Sequence, residues 1–463
     1  MNEVAGRSIL VAAAFAAILP LRAATRAACT EEVVSCEVGT ALAGYNADDI
    51  SVCKHDDLKL VACGVDDGEN RVFMFVFDLI GIDAANVQPM RSRVAKALRV
   101  PPANVLFTCT HNHHGPHSRL FNGKDKEGQA DVDRAYMKFL NERLDIVAAR
   151  LGRQESWREV RIGFYSTRVD ANRNRRLTTP DNRASFLPCV PELYRIADPI
   201  ADQELGTVVF FEPGIRETPL FVIGNYAAHT LASHAPGVGG LRITADFPGF
   251  YRDYVKSATG ADAMFIQGAC GDLVPKEDEL GMAAARALGE TLAKASIRSI
   301  ISIQRNDSRY MFNEPKVGGD LRSFDTCYRR KWAKKLKVTP ERSLEVQSIA
   351  IGDVAFAGMP GEIVNELGLE IKWHSPFKRT FIAYVATGYD DYMCPANFVA
   401  AGGYEGRNQR FASRDTLKLV NVATAGLFDL RERLFPDSVK DGEHYPDMVD
   451  LPLVALPGDA WDE

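Results

Sequence analysis

"RVFMFVFDLIGI" (Arg71–Ile82), "QPMRSRVAKALRV" (Gln88–Val100) and "ANVLFTCT" (Ala103–Thr110) follow one another with little chain between them. The first is aromatic, β-branched and nearly continuous in apolar residues, as a buried strand requires. The second spaces its apolar residues for an amphipathic helix and is stopped by Pro101 and Pro102. The third is again a buried strand. Strand alternating with helix predicts an α/β fold built on a central mixed, largely parallel sheet flanked by helices.

The last of these strands runs out into "HNHHGPHS", His111–Ser118, which holds four of the nine histidines of the chain. In α/β sheets functional groups collect where strands end. His111 and His113 stand two residues apart at a strand end, so period two puts both on one face. Two such imidazoles can share a metal ion, or one can bind it while the other handles protons. His114 and His117 read as exposed loop residues.

Outward from this unit the alternation continues. Strands are expected in 159–169, 205–213, 219–229, 263–273 and 380–392, and a strand pair in 343–358. Helices are expected over 131–153, 248–259, 280–296 and 416–435, with another starting at Pro360–Gly361–Glu362. Residues 305–345 are polar and rich in Arg and Lys and read as an irregular insertion. One domain over 1–435 and a loosely ordered tail over 436–463 complete the expected organisation. Further strand ends carry His229 and Asp272. Glu362 reads as a first-turn helix carboxylate or a ligand, and Tyr389 and Tyr392 as packing residues or ligands. Together these are N and O donors from distant segments, the way catalytic zinc sites are assembled.

Composition narrows the function. The chain has 463 residues, 46% hydrophobic and 25% charged, with a net charge of −6. No cationic stripe beyond Arg329–Lys335 is present to neutralise phosphates, which argues against nucleic acid as a partner. The nine cysteines are scattered without a C-x-x-C pair, so they form neither a zinc ribbon nor a disulfide framework, and a reducing compartment follows. The apolar run Ser8–Leu21 is too short to span a membrane. It reads as a signal-peptide core or as a first buried strand.

Taken in order, the motifs resemble the neutral/alkaline non-lysosomal ceramidase family, zinc amidohydrolases of N-acyl sphingosines. "THNHHGP" (Thr110–Pro116) is similar to its T-H-T-H-S-G-P loop, and "NYAAH" (Asn225–His229) to its N-(F/W)-x-x-H strand end. "TADFPGF" around Asp246, "GDLVP" (Gly271–Pro275), Pro360–Glu362, Tyr389–Tyr392 and "GGYEG" with Tyr404 follow in the family's order. The resemblance spans about residues 8–410. "ILVAAAFAAILP" (Ile9–Pro20) then resembles the family's first strand, which favours a cytoplasmic chain over a secreted one.

The resemblance implies that His111, His229, Glu362 and Tyr392 bind zinc. His113 would assist proton transfer or bind the oxyanion. Arg175 matches the family's N-R arginine, with Arg173 as the rival register, and Tyr404 a tyrosine of the pocket. Asp272 would shape the turn at the substrate. Val274 stands where the family has a serine, and the immunoglobulin-like C-terminal domain of the longer members is not expected here. The implied activity is zinc-dependent hydrolysis of the amide of a lipid-like N-acyl substrate. An esterase or lactonase, and a ligand-binding relative without catalysis, are the alternatives. Cys270, close to that turn, reads as packing rather than as a nucleophile.

Overall fold

The computed structural model describes residues 24–45, 49–118, 129–178, 184–186, 200–215, 217–234, 241–276, 280–312 and 314–436. The expected first strand at 9–20 and the tail beyond 436 lie outside the described residues.

Arg71–Phe77 is buried at every position but its first, which is why its sequence shows no polar alternation. It pairs in parallel with Val105–Cys109 and antiparallel with Lys59–Asp66. With Arg26–Val33 and Arg158–Glu159 these strands make a five-stranded sheet. Helix Ala84–Leu98 makes the parallel crossover. It buries Val87, Met90, Arg91, Val94, Ala95 and Leu98, one stripe of the helix. Arg99 ends it in the left-handed conformation, and Pro101 and Pro102 prevent its resumption.

Two four-stranded sheets lie against the first. One joins Asp262–Gln267, Thr218–Tyr226, Glu204–Glu212 and Arg161–Arg168. The other joins Val317–Cys327, Glu341–Ile351, Val354–Gly358 and Arg379–Ala383. Alternate residues of one strand therefore enter different cores. Val72, Met74 and Val76 meet Phe210, Ile223, Ile266, Ile349 and Phe356 between the sheets. Phe73, Phe75 and Phe77 face the helical side with Val94, Leu140 and Leu144. Beyond the second sheet, Phe211 and Val222 pack with Phe247, Tyr251, Leu288 and Leu292 of helices Asp246–Thr259 and Met282–Arg305.

The α/β class holds, and its detail differs from the expectation in two respects. Among the described residues there is no single, largely parallel sheet. Each of the three large sheets carries one parallel pair at an edge, and its other neighbours are antiparallel. The antiparallel pairs come from short turns such as Gly352–Asp353, where Gly352 has φ 59°. The stretch 305–345 is not irregular either. It holds the eleven-residue strand Val317–Cys327, registered along its whole length with Glu341–Ile351. That strand stands at a sheet edge, where one face is solvated, and its polar composition hid it.

The eight described cysteines are free thiols, and Cys29 and Cys63 face each other across neighbouring strands with sulfurs 3.3 Å apart. No helix among the described residues is long and apolar enough to cross a membrane.

Candidate metal centre

The three parallel pairs deliver their C-terminal ends to one place. His111 follows Val105–Cys109 in the first sheet, and His229 follows Thr218–Tyr226 in the second. In the third, Glu362 follows Val354–Gly358, and Tyr384 follows Arg379–Ala383. The helix at Pro360–Gly361–Glu362 begins later than expected. Glu362–Ile363 is a two-residue strand paired in parallel with Tyr392–Met393, and the helix starts at Asn365. Glu362 and Tyr392 are thus direct neighbours. Gly361 permits this: a Cβ there would lie 2.5 Å from the Asp391 carbonyl oxygen.

His111 does not continue the strand. Its φ is 58°, a left-handed conformation uncommon for a residue with a Cβ. The backbone N–H groups of Thr110 and Asn112 hold the turn on the carbonyls of Phe77 and Leu79, at 2.9 and 3.1 Å. Strand alternation therefore does not set the directions of His111 and His113. Their rings nevertheless converge, with centroids 5.0 Å apart at 83°.

The tautomers follow from the partners. His111 Nδ1 lies 2.8 Å from the Ile80 carbonyl oxygen, and His229 Nδ1 lies 3.1 Å from that of Cys270. A carbonyl only accepts, so each Nδ1 carries the proton and each neutral ring keeps its lone pair on Nε2. These two Nε2 atoms face one another at 3.1 Å, buried. Glu362 Oε2 lies 3.4 Å from His111 Nε2. Two lone pairs and a carboxylate converging in a buried space repel unless a cation lies among them, and carbonyl-held imidazoles are how proteins present Nε2 to a metal. His111, His113 and His229 also form a group whose ligand atoms all lie within 4.8 Å of one another. Two or three imidazoles with a carboxylate suit zinc.

Electrostatics agree with the geometry. Burial, then the neighbouring His111 and Arg175, pushes His229 well below the ordinary histidine range. Burial raises the Glu362 carboxyl, but His111, His229 and the Tyr389 hydroxyl outweigh it and hold it well below the usual range. His113 is half-buried, and its Nε2 has no hydrogen-bond partner. Burial, followed by His111 and His229, pushes its pKa well down.

The remaining sequence-named residues surround this centre. Arg175 is buried and its terminal nitrogen donates to the Tyr392 hydroxyl oxygen at 3.0 Å and to the Gly271 carbonyl at 2.8 Å. Its Nε donates to Glu405 at 2.9 Å. Arg173, the rival, lies in register with Val274 on the strand pair Asn172–Asn174 and Leu273–Pro275. Tyr404 packs edge-on against Tyr392 at 5.5 Å and is 47% exposed. Asp272 is buried beneath the centre. Its carboxylate accepts from the backbone of Asn365 and the side chain of Asn174, both at 2.7 Å. Cys270 is fully buried, which raises its thiol pKa.

His114 and His117 are buried, contrary to expectation. His114 Nδ1 donates to the Arg242 carbonyl at 2.9 Å, and its Nε2 accepts from Tyr45 at 3.1 Å. The loop is covered because residues 41–45 fold over it: Leu42 bridges Pro116, and Ala43 donates to Gly115 at 2.9 Å. Two contributors were missed in the sequence, Tyr384 and Gly44, while Tyr389 was read there as a packing residue or a ligand. Tyr384 and Tyr389 both donate to the Glu362 carboxylate, and Gly44 lies against His113. The Y-x-x-Y spacing pointed at Tyr389, while nothing local marks Tyr384 or Gly44.

No protein-family model and no curated protein matches the chain. Its fold is that of solved ceramidases. The neutral ceramidase of Pseudomonas aeruginosa superposes with a TM-score of 0.69 at 16% identity, covering 92% of this chain and 77% of that one. A ceramidase complexed with C2 gives a TM-score of 0.70 at 15% identity, with the same coverage of 92% and 77%. The chain thus has the neutral ceramidase fold.

Proposed function

We propose that the chain is a zinc-dependent hydrolase of the neutral ceramidase type that cleaves the amide bond of a lipid-like N-acyl substrate. The observation that carries this reading is the approach of His111 Nε2 to His229 Nε2 at 3.1 Å, both lone pairs turned inward beside Glu362. The ceramidase fold supports it. His111, His229 and Glu362 would hold zinc, with Tyr392, the register partner of Glu362, as the fourth protein ligand. Bound there, zinc supplies Lewis acidity toward a carbonyl oxygen and lowers the pKa of a water to about 7.

The protein groups divide the remaining work. The carbonyls of Ile80 and Cys270 orient the two imidazoles. His113 carries a proton from the attacking water to the departing nitrogen, because its unpartnered Nε2 lies beside the other two rings. Arg175 fixes the Tyr392 oxygen, and the exposed Tyr404 hydrogen-bonds the substrate. Asp272 shapes the turn on which His229 and Arg175 rest, since their backbone N–H groups donate to Leu273 and Asp272, at 3.0 and 2.9 Å. Val274 offers no hydroxyl at the turn, which favours a ligand-binding relative without catalysis as the second reading.

Elemental analysis tests the centre, and hydrolysis of paired N-acyl amides and esters, with and without chelator, tests the chemistry. Wild-type protein should carry about one zinc per chain, and the double variant His111→Ala/His229→Ala none. Full zinc in the double variant overturns the assignment. Zinc without turnover of any amide or ester leaves only a ligand-binding protein.

A further inference from the structure

Two tyrosines grip the Glu362 carboxylate. The Tyr389 hydroxyl donates to Oε1 at 2.7 Å, and the Tyr384 hydroxyl donates to Oε2 at the longer distance of 3.3 Å. Both rings are buried, and a hydrogen bond to a carboxylate is about twice as strong as one between neutral groups.

Their positions are over-determined. The Tyr384 N–H donates to Gln267 O at 3.0 Å, and its carbonyl accepts the Thr108 hydroxyl at 2.6 Å. Thr108, Gln267 and Tyr384 belong to the first, second and third sheets or their ends, so this tyrosine is pinned where the three meet. Tyr389 instead rests on Gly81, where a Cβ would lie 2.6 Å from its Cδ1. Gly81 follows Ile80, whose carbonyl orients His111, and its own carbonyl accepts the Ser118 hydroxyl at 2.6 Å. One short segment therefore places both an imidazole and the tyrosine that holds the carboxylate.

We propose that Tyr389 is a positioning residue for the metal: by occupying Oε1 it makes Glu362 present Oε2 alone, as a one-oxygen ligand. This rests on the reading of His111, His229 and Glu362 as a metal centre. Oε2 is the oxygen that faces His111 Nε2, at 3.4 Å. Without the Tyr389 hydroxyl the carboxylate can rotate and engage a cation through both oxygens. Such orienting partners are typically worth about 10- to 100-fold in metal affinity.

The test is a zinc titration of apoprotein against a chromophoric chelator, with apoprotein thermal melting as the control for folding. Tyr389→Phe should weaken zinc about 10- to 100-fold while the apo melting temperature stays put. Gly81→Ala, which leaves the hydroxyl but displaces the ring, should weaken zinc in the same direction. The visible spectrum of cobalt-loaded Tyr389→Phe should shift toward higher coordination number, which a merely structural tyrosine would not cause. Zinc binding by Tyr389→Phe within about 3-fold of wild type, or an unchanged cobalt spectrum, overturns the proposal. If wild-type protein binds no zinc, the metal reading falls and this inference with it. If wild type binds and Tyr389→Phe binds equally well, only this inference falls.

Discussion

At the scale of single residues, His113 is the group on which the readings of the centre divide. It is half-buried, and a Cβ on Gly44 would run into its Nδ1, so the chain closes over it with no side chain to spare. Gly44 also has φ 87°, where other residues are strained. If His113 acts on the proton and not on the metal, His113→Ala keeps zinc and lowers kcat by roughly 10²- to 10⁴-fold with little change in KM. Steady-state kinetics with metal analysis on the same sample checks this. Loss of zinc would instead place His113 on the metal with His111 and His229, as their clustering permits. The sequence marked His111 and His113 by their spacing, and the family resemblance implied His111, His229, Glu362 and Tyr392, which the structure brings together. The sequence was silent about Tyr384, whose partner Glu362 comes from another segment, and misled about His114 and His117, because the cover over them is built from residues 41–45.

At the scale of elements, Asp272 joins pieces distant in sequence: the strand Asn172–Asn174, the helix starting at Asn365, and the turn below His229. Burial pushes its carboxyl up to about 6, against the hydrogen bonds from Asn365 and Asn174 that lower it. The folded state therefore keeps a proton that the unfolded chain releases near pH 4. Asp272 then favours folding fully below pH 4, and this contribution is lost as pH rises through 6. Asp272→Asn removes that titration but sets its amide N–H₂ against the N–H₂ of Asn174, a standing cost. The variant should be less stable than wild type at pH 4, and the gap should narrow by up to about 3 kcal/mol by pH 7. Urea unfolding of both apoproteins across this range measures the gap, and a constant gap would rule the titration out. Elements were partly legible. The long apolar strands and the helices announced themselves through period, whereas the hairpins that make most neighbours antiparallel rest on short turns such as Gly352–Asp353. Reading alternation alone made the expected sheet largely parallel rather than largely antiparallel.

At the scale of the molecule, three sheets meet at one point and each brings a candidate ligand there: His111, His229 and Glu362. The same fold is recognisable in ceramidases at 16% identity over 92% of this chain. Core positions need only apolar residues of suitable volume, so a fold can be shared at low identity. The motifs at the strand ends of this chain were readable, and the packing that brings them together was not. Before a cation arrives, the apoprotein holds two opposed lone pairs and a carboxylate in a buried space, which disfavours the closed arrangement. A cation at that point attaches the first, second and third sheets to a common centre, and binds the folded chain far better than the unfolded one. Zinc at about 100 times its dissociation constant should therefore stabilise the protein by about 2.7 kcal/mol. For a chain of 463 residues that corresponds to a rise in Tm of about 3 °C. The rise should vanish in His111→Ala/His229→Ala, which removes the donors of two sheets. It should shrink in Tyr389→Phe at the same zinc concentration, because only the affinity changes there. Scanning calorimetry with and without zinc reads all three. A rise that persists in the double variant would locate the stabilising cation elsewhere and detach the convergence of the sheets from metal binding.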